Sequence, residues 1–111
     1  MLARQYRFSG QGGIRYVYRK GATVRRPHFT LRTVPVDPSK TQVAVVVSKK
    51  VAKLAVTRNR IRRRIYAALE AENLVPAMSL MTVIIVQDTW AEQCVFSELR
   101  QELAVALHLR Q

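Results

Sequence analysis

Two periods of hydrophobic spacing divide the chain. Val43-Ala44-Val45-Val46-Val47, within residues 42–48, and Leu80-Met81-Thr82-Val83-Ile84-Ile85-Val86 are near-continuous apolar runs. Runs of this kind predict strands covered on both faces. Residues 28–35 alternate, with Phe29, Leu31 and Thr33 on one face and His28, Thr30 and Arg32 on the other, as in a strand of period two. Residues 22–26 form a shorter β candidate that stops before Pro27. Elsewhere the spacing is helical. Ile14, Val17 and Tyr18 make one stripe over residues 14–20, and Gly21 follows where a helix C-terminal glycine sits. At about 100° per residue, Leu54, Ile61, Ile65, Ala68 and Leu69 fall on one side of a helix over residues 55–72, which Pro76 keeps from continuing. Thr89-x-x-Glu92 reads as a capping box for a last helix with the core stripe Val95, Leu99, Leu103, Ala106 and Leu107.

The order α-β-β-β-α-β-α predicts an α+β fold, a single mixed sheet with helices packed on it. The 111 residues are expected to make one domain, residues 1–111, with residues 1–9 as a flexible arm before the Gly-rich Ser9–Gly13 stretch. No apolar stretch approaches the ~20 residues that span a bilayer, so no membrane partner is expected. The single cysteine, Cys94, permits no internal disulfide, which is compatible with a reducing cytoplasm.

Charge changes the picture. The chain carries a net +12, but residues 1–66 hold 17 Lys/Arg against Asp37 alone, while residues 67–111 hold Arg100 and Arg110 against six acids. Within residues 49–64 stand Lys49, Lys50, Lys53, Arg58, Asn59, Arg60, Arg62, Arg63 and Arg64, with no acid among them. Uncompensated charge of that density repels itself unless a polyanion is the partner. On the helical wheel Asn59, Arg60, Arg62 and Arg63 lie opposite the apolar stripe. Arg58 and Arg64 flank it, with their stems on it and their guanidinium groups toward water. Arginine forks suit phosphate oxygens at fixed geometry, so the helix predicts a nucleic-acid face. No helix-turn-helix or dimer element accompanies it, which disfavours a DNA-binding regulator. Aromatic residues Tyr6, Phe8, Tyr16, Tyr18 and Phe29 interleave with arginine in the N-terminal third, a composition suited to single-stranded RNA. Phe29 fits the core; for Tyr16 and Tyr18 core packing and stacking stay open.

Catalytic chemistry by the protein itself is not supported. His28 and His108 lie in different elements, and Asp37 and Asp88 have no neighbouring carboxylate in sequence. Cys94 has no basic residue beside it, and reads as a packing thiol on the last helix. No P-loop or zinc-ligand spacing occurs.

Val47-Ser48-Lys49-Lys50-Val51 followed by Arg58-Asn59-Arg60-Ile61-Arg62-Arg63 resembles the protein subunit of bacterial ribonuclease P. Arg7-Phe8, Tyr18-Arg19-Lys20-Gly21 and Phe29-x-Leu31 extend the resemblance over nearly the whole chain. It implies an α/β sandwich with a left-handed βαβ crossover around the basic helix. It implies an endoribonuclease whose chemistry belongs to a catalytic RNA subunit with Mg²⁺ held mainly by that RNA. The protein would be a non-catalytic subunit that binds the catalytic RNA and the 5′ leader of precursor tRNA, in the cytoplasm and with no obligate protein partner. By position, Lys49, Lys50, Lys53, Arg58, Asn59, Arg60, Arg62, Arg63 and Arg64 become RNA-facing. Ile14, Tyr18, Thr30 and Arg32 match the leader cleft, although family members often carry aromatics where Ile14 and Arg32 stand. A structural ribosomal or general rRNA-binding protein is the alternative that size and charge also fit.

Overall fold

The computed structural model describes residues 6–7, 11–73, 75 and 78–108. Helix α1 (Gln11–Lys20) leads into strands β1 (Ala22–Arg25), β2 (Phe29–Pro35) and β3 (Gln42–Val46), then helix α2 (Ala55–Glu72), strand β4 (Leu80–Val86), a single helical turn α3 (Trp90–Gln93) and helix α4 (Phe96–His108). The strands form one sheet in the order β1-β2-β4-β3. β4 lies antiparallel to β2 (Leu31 opposite Ile84) and parallel to β3 (Val45 opposite Ile84). α2 is therefore the crossover between two adjacent parallel strands. It is an α+β fold, as the element order predicts.

Strand alternation gives each face its own core. Phe29, Leu31, Val43, Val45, Ile84 and Val86 pack with Ile61, Ile65 and Leu69 of α2 and with Leu99, Leu103 and Leu107 of α4. Val34, Ala44 and Val83 point the other way and meet Val17 of α1, with Ile14, Val46, Met81 and Ile85 partly buried around them. One ten-residue helix does not cover a four-stranded sheet, so this second face is only half roofed. Gly21 closes α1 onto the sheet: its N–H donates to Val17 O, and a Cβ there would run into that carbonyl and into the Thr33 backbone. Helix α2 ends at Asn73, whose left-handed φ of 52° lets its N–H reach Leu69 O and Glu70 O.

The structure corrects the sequence reading in several places. α1 begins three residues earlier than the stripe from Ile14 suggests. The predicted last helix is two, broken at Cys94. The capping box does not form: Thr89 makes no side-chain cap bond, and Asp88 Oδ1 accepts from the Trp90 N–H instead. The break rotates Val95 out of the core stripe, and Leu54 lies before the first turn of α2; both are exposed. Arg7 bridges Val43 at the outer edge of β3 and Tyr6 packs on the main core, so the arm is docked at these two residues. Its other residues, with Phe8 and Pro76, lie outside those described. Among the described residues no helix is long and apolar enough to cross a membrane.

Candidate nucleic-acid interface

The basic residues of 49–64 gather at one end and on the outer side of α2, but they do not all remain available. Arg64 reaches across to the α3–α4 break, where Nη1 donates to Ala91 O (3.2 Å) and Glu92 O (2.8 Å) and Nη2 to Cys94 O (2.7 Å). It caps α3 and ties it to α2, which corrects its assignment as an RNA-facing group. Arg58 turns back similarly, its Nη1 donating to Ala52 O and Lys53 O and setting the loop that enters α2. Arg60 is half-exposed and pairs with Glu92 at 3.0 Å. Asn59 Oδ1 accepts from Arg62 Nη2 and so orients that guanidinium. Lys49, Lys50, Lys53 and Arg63 are exposed. No acid stands in the first turn of α2.

Two grooves flank this helix. The first, about 430 Å³, is lined by Arg7, Val56, Asn59, Arg62, Arg63 and Tyr66. Its far wall is Arg7, which bridges Val43 at the sheet edge. Burial pushes the Tyr66 phenol up, against the Val45 backbone and the charges of Arg7 and Arg62, so it stays neutral at physiological pH. The second groove, about 360 Å³, is lined by Arg60, Arg63, Arg64, Ala67 and Phe96. Arg63 belongs to both.

The residues matched to a leader cleft fall on the half-roofed sheet face. Ile14 is partly buried there with Met81, Val46 and Ile85, which leave apolar surface beside α1, and Tyr18, also on α1, is exposed. Thr30 is buried, and its hydroxyl accepts from Gln87 Nε2 at 2.6 Å. The Arg32 guanidinium is bound at the end of α1, Nη2 donating to Tyr18 O (2.7 Å) and Gly21 O (2.9 Å) and Nη1 to Thr23 Oγ1 (2.8 Å). These two side chains build the cleft rather than offering free polar groups to it. Tyr16, left open by the sequence, is exposed.

Sequence reading missed the pair of His28 and Asp88, 60 residues apart and 2.8 Å from Nδ1 to Oδ2. The His28 ring stacks on Trp90 at 4.3 Å. Burial opposes ionisation of Asp88, but bonds from His28 and the Trp90 amide outweigh it and hold the carboxyl below its usual range. A lowered folded value means stability that is present above the unfolded carboxylate value of ~3.9 and lost as pH falls through the folded one. Asp88→Asn is therefore expected to melt up to about 5 °C below wild type at pH 7, because a half-exposed pair contributes under ~1 kcal/mol. The gap should close as pH falls through the lowered folded value of the carboxyl; an equal gap at pH 7 and in acid in thermal unfolding contradicts the assignment.

Comparison with known proteins agrees with this geometry. The family model described as Ribonuclease P matches residues 2–109. The "Ribonuclease P protein component" of Nostoc sp. is 35% identical over 127 aligned positions, covering 92% of this chain and 89% of the relative. That of Cyanothece sp. is 33% identical, covering 93% and 90%. Among solved structures, the RNase P protein of Staphylococcus aureus superposes with a TM-score of 0.73 at 20% identity, over 96% of this chain and 95% of that one. The Thermotoga maritima RNase P protein gives 0.71 at 16% identity, over 89% and 92%. Identities that low speak for the fold alone, but the family model and the cyanobacterial relatives add sequence to it. With its basic crossover helix and four-stranded sheet, the chain belongs to the ribonuclease P protein family.

Proposed function

We propose that this chain is the RNA-binding protein subunit of ribonuclease P, assisting a catalytic RNA in removing the 5′ leader from precursor tRNA in the cytoplasm. The observation that carries this reading is the set of outward cations on α2 and its entry loop, Lys49, Lys50, Lys53, Arg62 and Arg63, in a chain of this family. Their role is to neutralise phosphates where RNA strands crowd together. The half-roofed face beside α1 is the seat for the leader: Tyr18 supplies an exposed ring for base stacking, and Ile14, Val46 and Ile85 supply apolar contact.

The protein contributes no nucleophile in this proposal. Mg²⁺ keeps several of its waters and is bound readily through phosphate oxygens. The proposal leaves the metal with the RNA.

The test is substrate affinity of the reconstituted holoenzyme, for precursor tRNA with its leader and for mature tRNA. Tyr18→Ala is expected to weaken precursor binding by about 5-fold or more, the lower end of one base–aromatic stack, and to leave mature tRNA binding unchanged. Equal losses for both RNAs would place Tyr18 outside the leader site.

A further inference from the structure

The groove on the other flank of α2, facing the α3–α4 break, has no part in the leader site. It pairs an exposed aromatic ring with arginines. Phe96 opens α4 and is 36% exposed. The Arg64 guanidinium lies over its ring, 5.9 Å from the centroid. Three backbone carbonyls hold that guanidinium, so the ring has a cation set in place on one side. Arg60 on the wall is paired with Glu92, while Arg63 makes no ion pair or hydrogen bond within the described residues. The small side chain of Ala67 also lines the groove. The groove is open to solvent and about 360 Å³ in volume. An exposed ring beside a guanidinium with no partner among the described residues has the chemistry of a nucleotide seat: a π face for the base and a fork for the phosphate.

We propose that this groove holds one unpaired nucleotide of the RNA that docks on α2, its base stacked on Phe96 and its phosphate on Arg63. The inference rests on the RNA-binding reading above and deepens it. Since Arg63 lines both grooves, the strand then crosses α2 instead of running along it. Arg64 is a positioning residue here, holding the ring without meeting phosphate.

The experiment is equilibrium binding of the full chain to a bacterial ribonuclease P RNA over a salt series, comparing wild type, Phe96→Leu, Phe96→Trp and the double variant Arg62→Ala/Arg63→Ala. Stacking releases no counterions. Phe96→Leu is thus expected to lose at least about 5-fold in affinity with an unchanged salt slope and melting temperature, and Phe96→Trp to stay within about twofold of wild type. Phe96→Leu binding like wild type overturns the nucleotide seat; if the double arginine variant is weakened in that same series, α2 remains the docking face. A loss that comes with a lower melting temperature and is not restored by tryptophan assigns Phe96 to the fold and also overturns the proposal. No binding by wild type overturns both this inference and the functional reading beneath it.

Discussion

Arg62→Ala/Arg63→Ala is expected to weaken binding to ribonuclease P RNA by about 100-fold, and to lower the slope of log K against log salt by ~1.4–1.8. Both guanidinium groups line the first groove, and Asn59 aims one of them. Each phosphate that a cation neutralises contributes ~0.7–0.9 to the slope, and the variant gives up two such cations. Two charge-assisted bonds at the low end of ~1.5–3 kcal/mol each amount to about two decades in affinity. Neither side chain holds secondary structure together, so stability should stay within about 0.5 kcal/mol of wild type. Filter binding at several salt concentrations reads the slope directly. An unchanged slope would show that α2 does not meet the phosphates.

Arg64→Ala should behave in the opposite way: a melting temperature lower by roughly 10–20 °C, and RNA affinity at low temperature, where the chain stays folded, reduced by no more than about the 5-fold of the Phe96 stack, with the salt slope unchanged. Its fork satisfies the carbonyls of Ala91, Glu92 and Cys94 at the junction of α3 and α4. Removing it leaves these partly buried acceptors short of a donor and takes away one tie of α3 to α2, with the Arg60–Glu92 pair left as another. At ~1 kcal/mol or more per bond the loss is about 2–4 kcal/mol, a large share of the ~5–15 kcal/mol that holds a domain of this size. Arg64→Lys should restore little, because an ammonium on a flexible stem does not span three carbonyls. Thermal unfolding by circular dichroism separates the two arginine classes; a melting temperature for Arg64→Ala equal to that of the Arg62/Arg63 variant contradicts the division.

Why neighbours in one basic run part so sharply in role explains what the sequence can and cannot reveal. The bounds of α2 and β4 are legible because helical and apolar patterns are local, and both match the structure residue for residue. That the helix gathers the chain's densest run of cations is legible from the sequence alone. The partner of each arginine is not. Arg64 is satisfied by carbonyls 27 to 30 residues away and Arg60 by a carboxylate 32 residues away. A wheel diagram holds no such information. The acids of the C-terminal half are likewise drawn back as ties: Glu92 to Arg60, Glu72 to Arg100 on α4, and Glu102 to Arg26 beside β1. The charge division along the chain is therefore softened in space. On the sheet, alternation places Thr30 and Arg32 on one face, as observed, but that face is α1's bed, and both side chains are engaged there. Phe96 escapes notice because it follows the helix break at Cys94, which a capping box at Thr89 conceals.

Cleavage of precursor tRNA by a bacterial ribonuclease P RNA, at Mg²⁺ too low for that RNA to act well alone, tests the central claim most directly. Adding this protein is expected to produce cleavage at the mature 5′ end, and adding the Arg62→Ala/Arg63→Ala variant to produce much less. Tight RNA binding without any stimulation of cleavage would contradict the subunit role and favour a structural ribosomal or general RNA-binding protein.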